Sequence, residues 1–173
     1  MGSYPGFTDS NSNINFSKEG QQFEVSNRFT TVAANNGLAT IGFTTGSKPV
    51  VIKGRLITGL GVTELQYKAA HSAAFTGGSP VPVDNLRING NIALTSVVAN
   101  PTVTGQGTVY LRPYSILAAG ANASSRIGTD LANKDTYLPP NTKCLFTITN
   151  PTNTAASPVF WYLVFVELES WQY

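Results

Sequence analysis

The chain has 173 residues, which is enough for one domain with its own hydrophobic core. Charged residues make up only 12% of it, the net charge is +2, and lysines and arginines form no run, which argues against a protein that packages nucleic acid. The single cysteine, Cys144, excludes an internal disulfide bond and a cysteine-based metal site, and we expect it to be a buried structural thiol.

The polar residues are mainly threonine, serine and asparagine, and the chain also contains 16 glycines and 10 prolines. Threonine suits a pleated strand, whereas asparagine, glycine and proline suit turns. Glutamate and lysine, which long helices favour, are scarce. The composition therefore predicts an all-β protein with many loops.

Residues 1–20 are polar and show no hydrophobic periodicity, so we predict an extended N-terminal arm before a single domain over residues 21–173. Tyr4 and Phe7 flank a Pro-Gly pair in this arm. A frayed terminus would have the same composition, but two aromatic side chains favour an arm that docks on another surface.

We expect a soluble protein that is made in a cytoplasm and does not contact a membrane. The first residues have neither the basic nor the apolar region of a secretion signal. The longest apolar run, Val159 to Val166, is too short to cross a bilayer as a helix.

Strand patterns follow one another from residue 22 onward, separated by turn signals such as Asn35-Asn36-Gly37 and Asn89-Gly90. Residues 71–82 and 118–141 are predicted loops, the second with at most one helical turn. The fold predicted from this spacing is a jelly-roll-like antiparallel β-sandwich of eight to nine strands. The predicted strands are Gln22 to Ala33, Leu38 to Thr44, Val50 to Thr58, Val62 to Ala70, Ile92 to Val98, Thr108 to Leu117, Lys143 to Thr149 and Val159 to Glu169.

The last predicted strand is apolar on both faces, so we expect both faces to be covered. The core covers one face, and either an associating subunit or a loop of the same chain covers the other. Aromatic side chains are enriched at interface hot spots, and the chain carries them in this strand and at both termini. The predicted protein-interface residues are Tyr4, Phe7, Trp161, Phe165, Trp171 and Tyr173.

Residues for catalysis or cofactor binding are sparse, so we predict that the chain is not an enzyme and has no cofactor or metal. The single histidine, His71, falls in a predicted loop without a second histidine or cysteine ligand. Glu167 and Glu169 share one strand face and could in principle flank a sugar bond. Two acids at the end of an apolar strand more often mark the place where it leaves the core.

Three segments, taken with the aromatic final strand, resemble small virion proteins of tailed bacteriophages, notably capsid decoration (cement) proteins of the jelly-roll or β-sandwich type. This resemblance spans roughly residues 22–169. The segments are Val50-Val51-Ile52-Lys53-Gly54-Arg55-Leu56-Ile57 followed by Glu64-Leu65-Gln66-Tyr67, then Pro80-Val81-Pro82-Val83-Asp84-Asn85-Leu86-Arg87-Ile88-Asn89-Gly90, and Tyr137-Leu138-Pro139-Pro140-Asn141-Thr142-Lys143-Cys144-Leu145-Phe146-Thr147-Ile148-Thr149-Asn150.

The resemblance implies a structural role on the exterior of a virion assembled in the host cytoplasm. The partner would be the assembled shell of major capsid protein, bound by a dimer or trimer of this chain without direct contact to nucleic acid. The main alternative is a carbohydrate- or receptor-binding module of a phage tail fibre or spike. A jelly-roll coat protein of a small virus and a minor neck or tail component are further alternatives, although the absence of a basic arm counts against the coat protein.

Overall fold

The structure is a computed structural model, and it describes residues 21–60, 64–117, 124–127, 135–151 and 157–169. These residues contain strands and no helix. The strands are β1 (Gln22–Val32), β2 (Gly37–Thr44), β3 (Val50–Leu60), β4 (Glu64–His71), β5 (Ala74–Thr76), β6 (Ser79–Val81), β7 (Val83–Asn85), β8 (Ser96–Ala99), β9 (Thr102–Gly105), β10 (Thr108–Leu117), β11 (Ser124–Ile127), β12 (Thr136–Leu138), β13 (Lys143–Asn150) and β14 (Ser157–Glu167).

Two antiparallel sheets form the domain. The first has the order β11-β3-β14-β1-β7, with β12 pairing β3 beside β11, and the second has the order β10-β4-β13-β2-β8-β6. The pairing is nested, because β1 pairs β14, β2 pairs β13, β3 pairs β11 and β12, and β4 pairs β10. A long antiparallel hairpin that is rolled up so that its paired strands fall alternately in two sheets has this pattern, which is the jelly roll. The predicted antiparallel β-sandwich is therefore confirmed, although the described residues form fourteen strands where eight to nine were predicted. The predicted arm lies outside the described residues.

The core between the sheets follows the two-residue alternation of the strands. In β14 the inward residues are Val159, Trp161, Leu163 and Phe165, all fully buried. Aromatic rings from both sheets meet there, since Phe43 of β2 lies 5.3 Å from Phe165 at an interplanar angle of 86°. Edge-to-face packing of this kind stabilises the core in addition to the stabilisation that comes from burying apolar area.

A bulge in β3 places a charge inside this core. Gly54 pairs with Val164 while Ile52 pairs with Phe165, so Lys53 is the extra residue that shifts the inward phase of the strand. Arg55 consequently points between the sheets and is buried, with its Nη2 donating to Thr136 Oγ1 at 2.6 Å. The Arg55 side chain is therefore fixed by Thr136 and buried between the two sheets.

The segment between β4 and β10 is an insertion into the jelly roll, and the predicted loop 71–82 lies within it. It contains short strands rather than a loop alone: β7 extends the first sheet beyond β1, whereas β8 and β6 extend the second sheet beyond β2. The β5-β9 ribbon packs on the outer face of the second sheet, where Phe75 contacts Leu145. Sequence patterns miss such strands because three or four residues are too few to show a period.

The predicted loop 118–141 also contains strands, namely β11 and β12, which pair with β3. They have only four and three residues, too few to show a period, and they form because they pair with β3.

Cys144 lies on the inward face of β13 and is fully buried, as predicted for a structural thiol. Burial raises the pKa of the thiol to about 12. Because the thiolate is the reactive species, we expect Cys144 of the folded protein to resist an aromatic disulfide reagent at pH 8 and to react completely once the protein is unfolded in guanidinium. Rapid stoichiometric reaction without denaturant would contradict the structure.

Candidate protein-interaction surface

Two of the predicted interface residues, Trp161 and Phe165, do not lie on the surface. Both are fully buried between the sheets, where the Trp161 ring lies 5.8 Å from that of Phe146. The prediction that they form an interface is wrong, because the alternation of β14 turns them toward the facing sheet. The other four predicted interface residues lie outside the described residues: Tyr4, Phe7, Trp171 and Tyr173.

The opposite face of β14 is only partly covered. Val166 is buried, Tyr162 and Val164 are half-buried, and Phe160 is exposed. Tyr162 donates a hydrogen bond from its hydroxyl to Glu24 Oε2 at 2.8 Å, so this face has polar contacts as well as apolar ones. Coverage of this face by a second subunit stays a prediction.

A more prominent apolar surface lies in the connection between β7 and β8, which we call the 86–95 loop. Ile88 and Ile92 are 90% and 92% exposed, and Leu86 and Leu94 are also exposed. Single exposed aliphatic residues are ordinary on protein surfaces, but several close together mark an interaction site. The loop runs from the edge of the first sheet to the second, at one rim of the sandwich.

The tip of the 86–95 loop is held by the side chain of Asn85. Its amide nitrogen donates to the Asn91 carbonyl at 2.7 Å, and its amide oxygen accepts from the Arg87 N–H at 2.8 Å. Between them the Gly90 N–H donates to the Arg87 carbonyl at 3.0 Å, and Asn89 adopts a φ of 59°. A Cβ at position 90 would approach Asn85 side-chain atoms to 2.5 Å, so a larger residue there would displace the amide that closes the turn. The two isoleucines therefore flank a closed turn.

Both ends of the loop are attached to the sandwich. The Leu86 N–H donates to the Gln22 carbonyl at 3.0 Å, and the buried Thr95 N–H donates to Glu167 Oε1 at 2.8 Å. Glu167 is itself buried, whereas Glu169 is exposed and forms a salt bridge with Lys48 at 2.8 Å. The chain thus leaves the core after β14, between Glu167 and Glu169. Glu167 supports the 86–95 loop through its hydrogen bond with Thr95. A loop fixed in this way loses little conformational entropy when it binds a partner.

Replacing Glu167 with alanine should destabilise the protein by about 1–3 kcal/mol, because the buried Thr95 N–H would lose its acceptor. Glu167→Gln is the matched control, since its amide oxygen can still accept this hydrogen bond. Urea unfolding measures the effect. Equal losses for the two variants would show that the carboxylate charge, and not the hydrogen bond, supports the loop.

Comparison of the sequence with protein-family models and with curated proteins finds no match. A solved structure of infectious bursal disease virus, Gx strain, aligns with 87% of this chain and 39% of its own chain, at 11% identity and a TM-score of 0.17. A similarity at that level carries no argument about fold or function. The jelly-roll assignment depends on the strand pairing alone.

The groups predicted to be relevant to chemistry are not brought together. His71 is the last residue of β4, half-buried, with its Nδ1 3.0 Å from Ser72 Oγ. Within the described ranges, no three histidine, cysteine or acidic side chains are placed to hold a metal ion, and no helix is long and apolar enough to cross a membrane. Burial raises the pKa of Tyr67, which lies near Arg55 and Trp161 inside the core.

The sequence contains a turn signal in the 86–95 loop, but it does not show that the aliphatic residues beside the turn are exposed. Asn89-Gly90 correctly indicates a turn, yet the flanking aliphatic residues also predict strands with a buried face. In the structure β8 begins only at Ser96, so the isoleucines precede the strand and face outward.

Proposed function

We propose that the protein is a virion structural protein that binds an assembled bacteriophage capsid and stabilises it, as decoration proteins do. The observation that carries the proposal is the rigid 86–95 loop, which presents Ile88 and Ile92 almost fully exposed at one rim of a jelly roll. Aliphatic anchors on a preformed loop are suited to apolar depressions on another protein, where burial of each contributes about 1.5–3 kcal/mol.

The jelly roll itself supports this proposal in a general way, since viral capsid proteins and lectins both use it. The family resemblance of the three sequence segments is what directs the proposal to a bacteriophage shell. The low charge of the chain is consistent with a partner that is recognised by shape and apolar contact instead of by charge.

The experiment adds purified protein to shells that lack it, prepared from the virus whose genome encodes this chain. We expect saturable binding at a fixed number of copies per shell and a higher temperature of shell disruption. Co-sedimentation and cryo-electron microscopy measure the copy number, and light scattering against temperature measures the stabilisation. Absence of binding at micromolar protein would overturn the proposal.

Self-association as a dimer or trimer, without contact to nucleic acid or membrane, belongs to the same proposal. Sedimentation equilibrium of the free protein tests it separately. A monomer that still decorates shells would retain the capsid role and remove the oligomer.

A further inference from the structure

The outer face of the second sheet contains a cleft that the capsid proposal does not use. The β5-β9 ribbon covers one end of this face, where Phe75 packs against Gly42 and Leu145. Beyond the ribbon, a cleft of about 560 Å³ lies between the ribbon and the sheet in the described part of the chain. This volume is in the range of small-molecule sites, roughly 300–1,000 Å³.

The floor of the cleft consists of two cross-strand rows. Thr147 lies between Thr40 and Lys68 in the first row, and Thr149 lies between Leu38 and Gln66 in the second. The alternation that sends Phe146 and Ile148 into the core turns these side chains outward. The floor is therefore as rigid as the sheet that forms it.

The wall of the cleft is fixed to the floor. Asn100, with a φ of 49°, donates its backbone N–H to the Thr40 carbonyl at 2.8 Å and accepts the Thr40 N–H on its side-chain oxygen at 3.4 Å. Val103 packs with Phe75 in the small cluster under the ribbon and also lines the cleft. The cleft is thus preformed.

Thr147 is the first indication of a ligand. The residue is only 6% exposed and lines the cleft, yet its buried hydroxyl has no hydrogen-bond partner. An unpartnered buried hydroxyl destabilises a protein, and among the unpartnered buried side-chain atoms of the described residues only this one belongs to the lining of the cleft. Rotation of the Thr147 side chain toward the cleft would let a polar atom of a bound molecule supply the missing partner.

Lys68 is the second indication. It is the only charged residue that lines the cleft in the part of the chain that the structure describes. It forms no salt bridge there, whereas Lys48 and Lys53 each pair with a carboxylate. Beside it are the threonine hydroxyls, and Leu38, Pro101 and Val103 provide apolar surface. One positive charge, several hydroxyls and an apolar wall complement a molecule with one carboxylate, several hydroxyls and a C–H face.

We propose that this cleft binds an acidic sugar, with the sugar carboxylate on Lys68 and a sugar oxygen on the Thr147 hydroxyl. The inference is independent of the capsid proposal, since the cleft lies on the outer face of the second sheet, whereas the 86–95 loop lies at one rim of the sandwich. Substitutions in the cleft should leave shell binding unchanged, so the failure of either proposal can be distinguished from the failure of the other.

The test titrates the full chain with oligosaccharides that end in glucuronic or sialic acid and with their neutral counterparts, followed by calorimetry and saturation-transfer NMR. We expect binding of an acidic sugar, a loss of about tenfold or more in Lys68→Gln, and no binding of the neutral counterpart. Thr147→Val should weaken binding about fivefold while raising the unfolding temperature, because it removes the unpartnered hydroxyl. Thr30→Val, an exposed threonine of β1 in the other sheet, is the matched control and should change neither.

Three results would overturn the inference. The first is no binding of any acidic sugar at millimolar concentration. The second is binding that both cleft variants leave unchanged. The third is Lys68-dependent binding of a polyglutamate peptide without binding of any sugar, which would assign the cleft to an acidic peptide.

Discussion

Replacing Ile88 and Ile92 together with aspartate is expected to reduce binding to capsid shells by at least about 100-fold, because two aliphatic anchors of about 1.5–3 kcal/mol each would be lost. The stability of the free protein should barely change, since both side chains are almost fully exposed and neither takes part in the hydrogen bonds that close the turn. Co-sedimentation with shells measures the affinity, and thermal unfolding of the free protein measures the stability.

Val109→Asp is the control for this experiment. Val109 is an exposed aliphatic residue of β10, away from the 86–95 loop, so its replacement adds one carboxylate, half the charge of the double variant, without removing an anchor. Shell binding should be retained in this variant. If the double variant of the loop decorates shells like the wild type, the 86–95 loop is not the contact surface, and the capsid proposal loses the observation that carries it.

Replacing Trp161 with alanine is expected to destabilise the protein by about 3–5 kcal/mol, the usual loss for a large aromatic residue in a core. Trp161 is fully buried, and its ring lies beside that of Phe146 from the facing sheet, so alanine would leave a cavity that the two sheets cannot close without moving. Urea unfolding followed by far-ultraviolet circular dichroism measures the loss.

Phe160→Ala is the matched variant, because Phe160 is the preceding residue of the same strand and its side chain points outward. It should lose clearly less stability than Trp161→Ala. Equal losses would contradict the inward and outward assignment of β14. Because Trp161 is buried, a loss of shell binding in Trp161→Ala would result from unfolding of the protein. It would not show that Trp161 is an interface residue.

Much of the core was readable from the sequence. In β1 the residues Phe23, Val25 and Phe29 alternate with polar neighbours, and all three are buried as that alternation predicts. In β14 the alternation was equally clear, but both faces are apolar, and nothing in the sequence says which one meets the facing sheet. The choice between Trp161 and Phe160 as the inward residue required the pairing of β14 with β1 and β3.

The inward and outward positions of β3 could not be predicted from the sequence, for a different reason. Strict alternation from Ile52 would place Arg55 on the face opposite to Ile52, yet the bulge at Lys53 brings Ile52, Arg55 and Ile57 to the same face. A bulge is set by the register with the neighbouring strand, which is not encoded within the segment itself. A buried arginine could therefore not be predicted from the local pattern of residues.

By itself the sequence determined that this protein is an all-β sandwich, because composition, two-residue periodicity and turn residues are local properties that each segment carries. It also identified the turn at Asn89-Gly90 and the buried character of Cys144. Only the tertiary structure decided which aliphatic residues stay outside the core, since exposure depends on what the rest of the chain covers. The placement of Lys68 beside Thr147 and Thr40, without a salt bridge to any described residue, likewise arises from three strands that are distant in sequence and meet only in the sheet. Both candidate surfaces thus depend on long-range pairing, which no local pattern of residues contains.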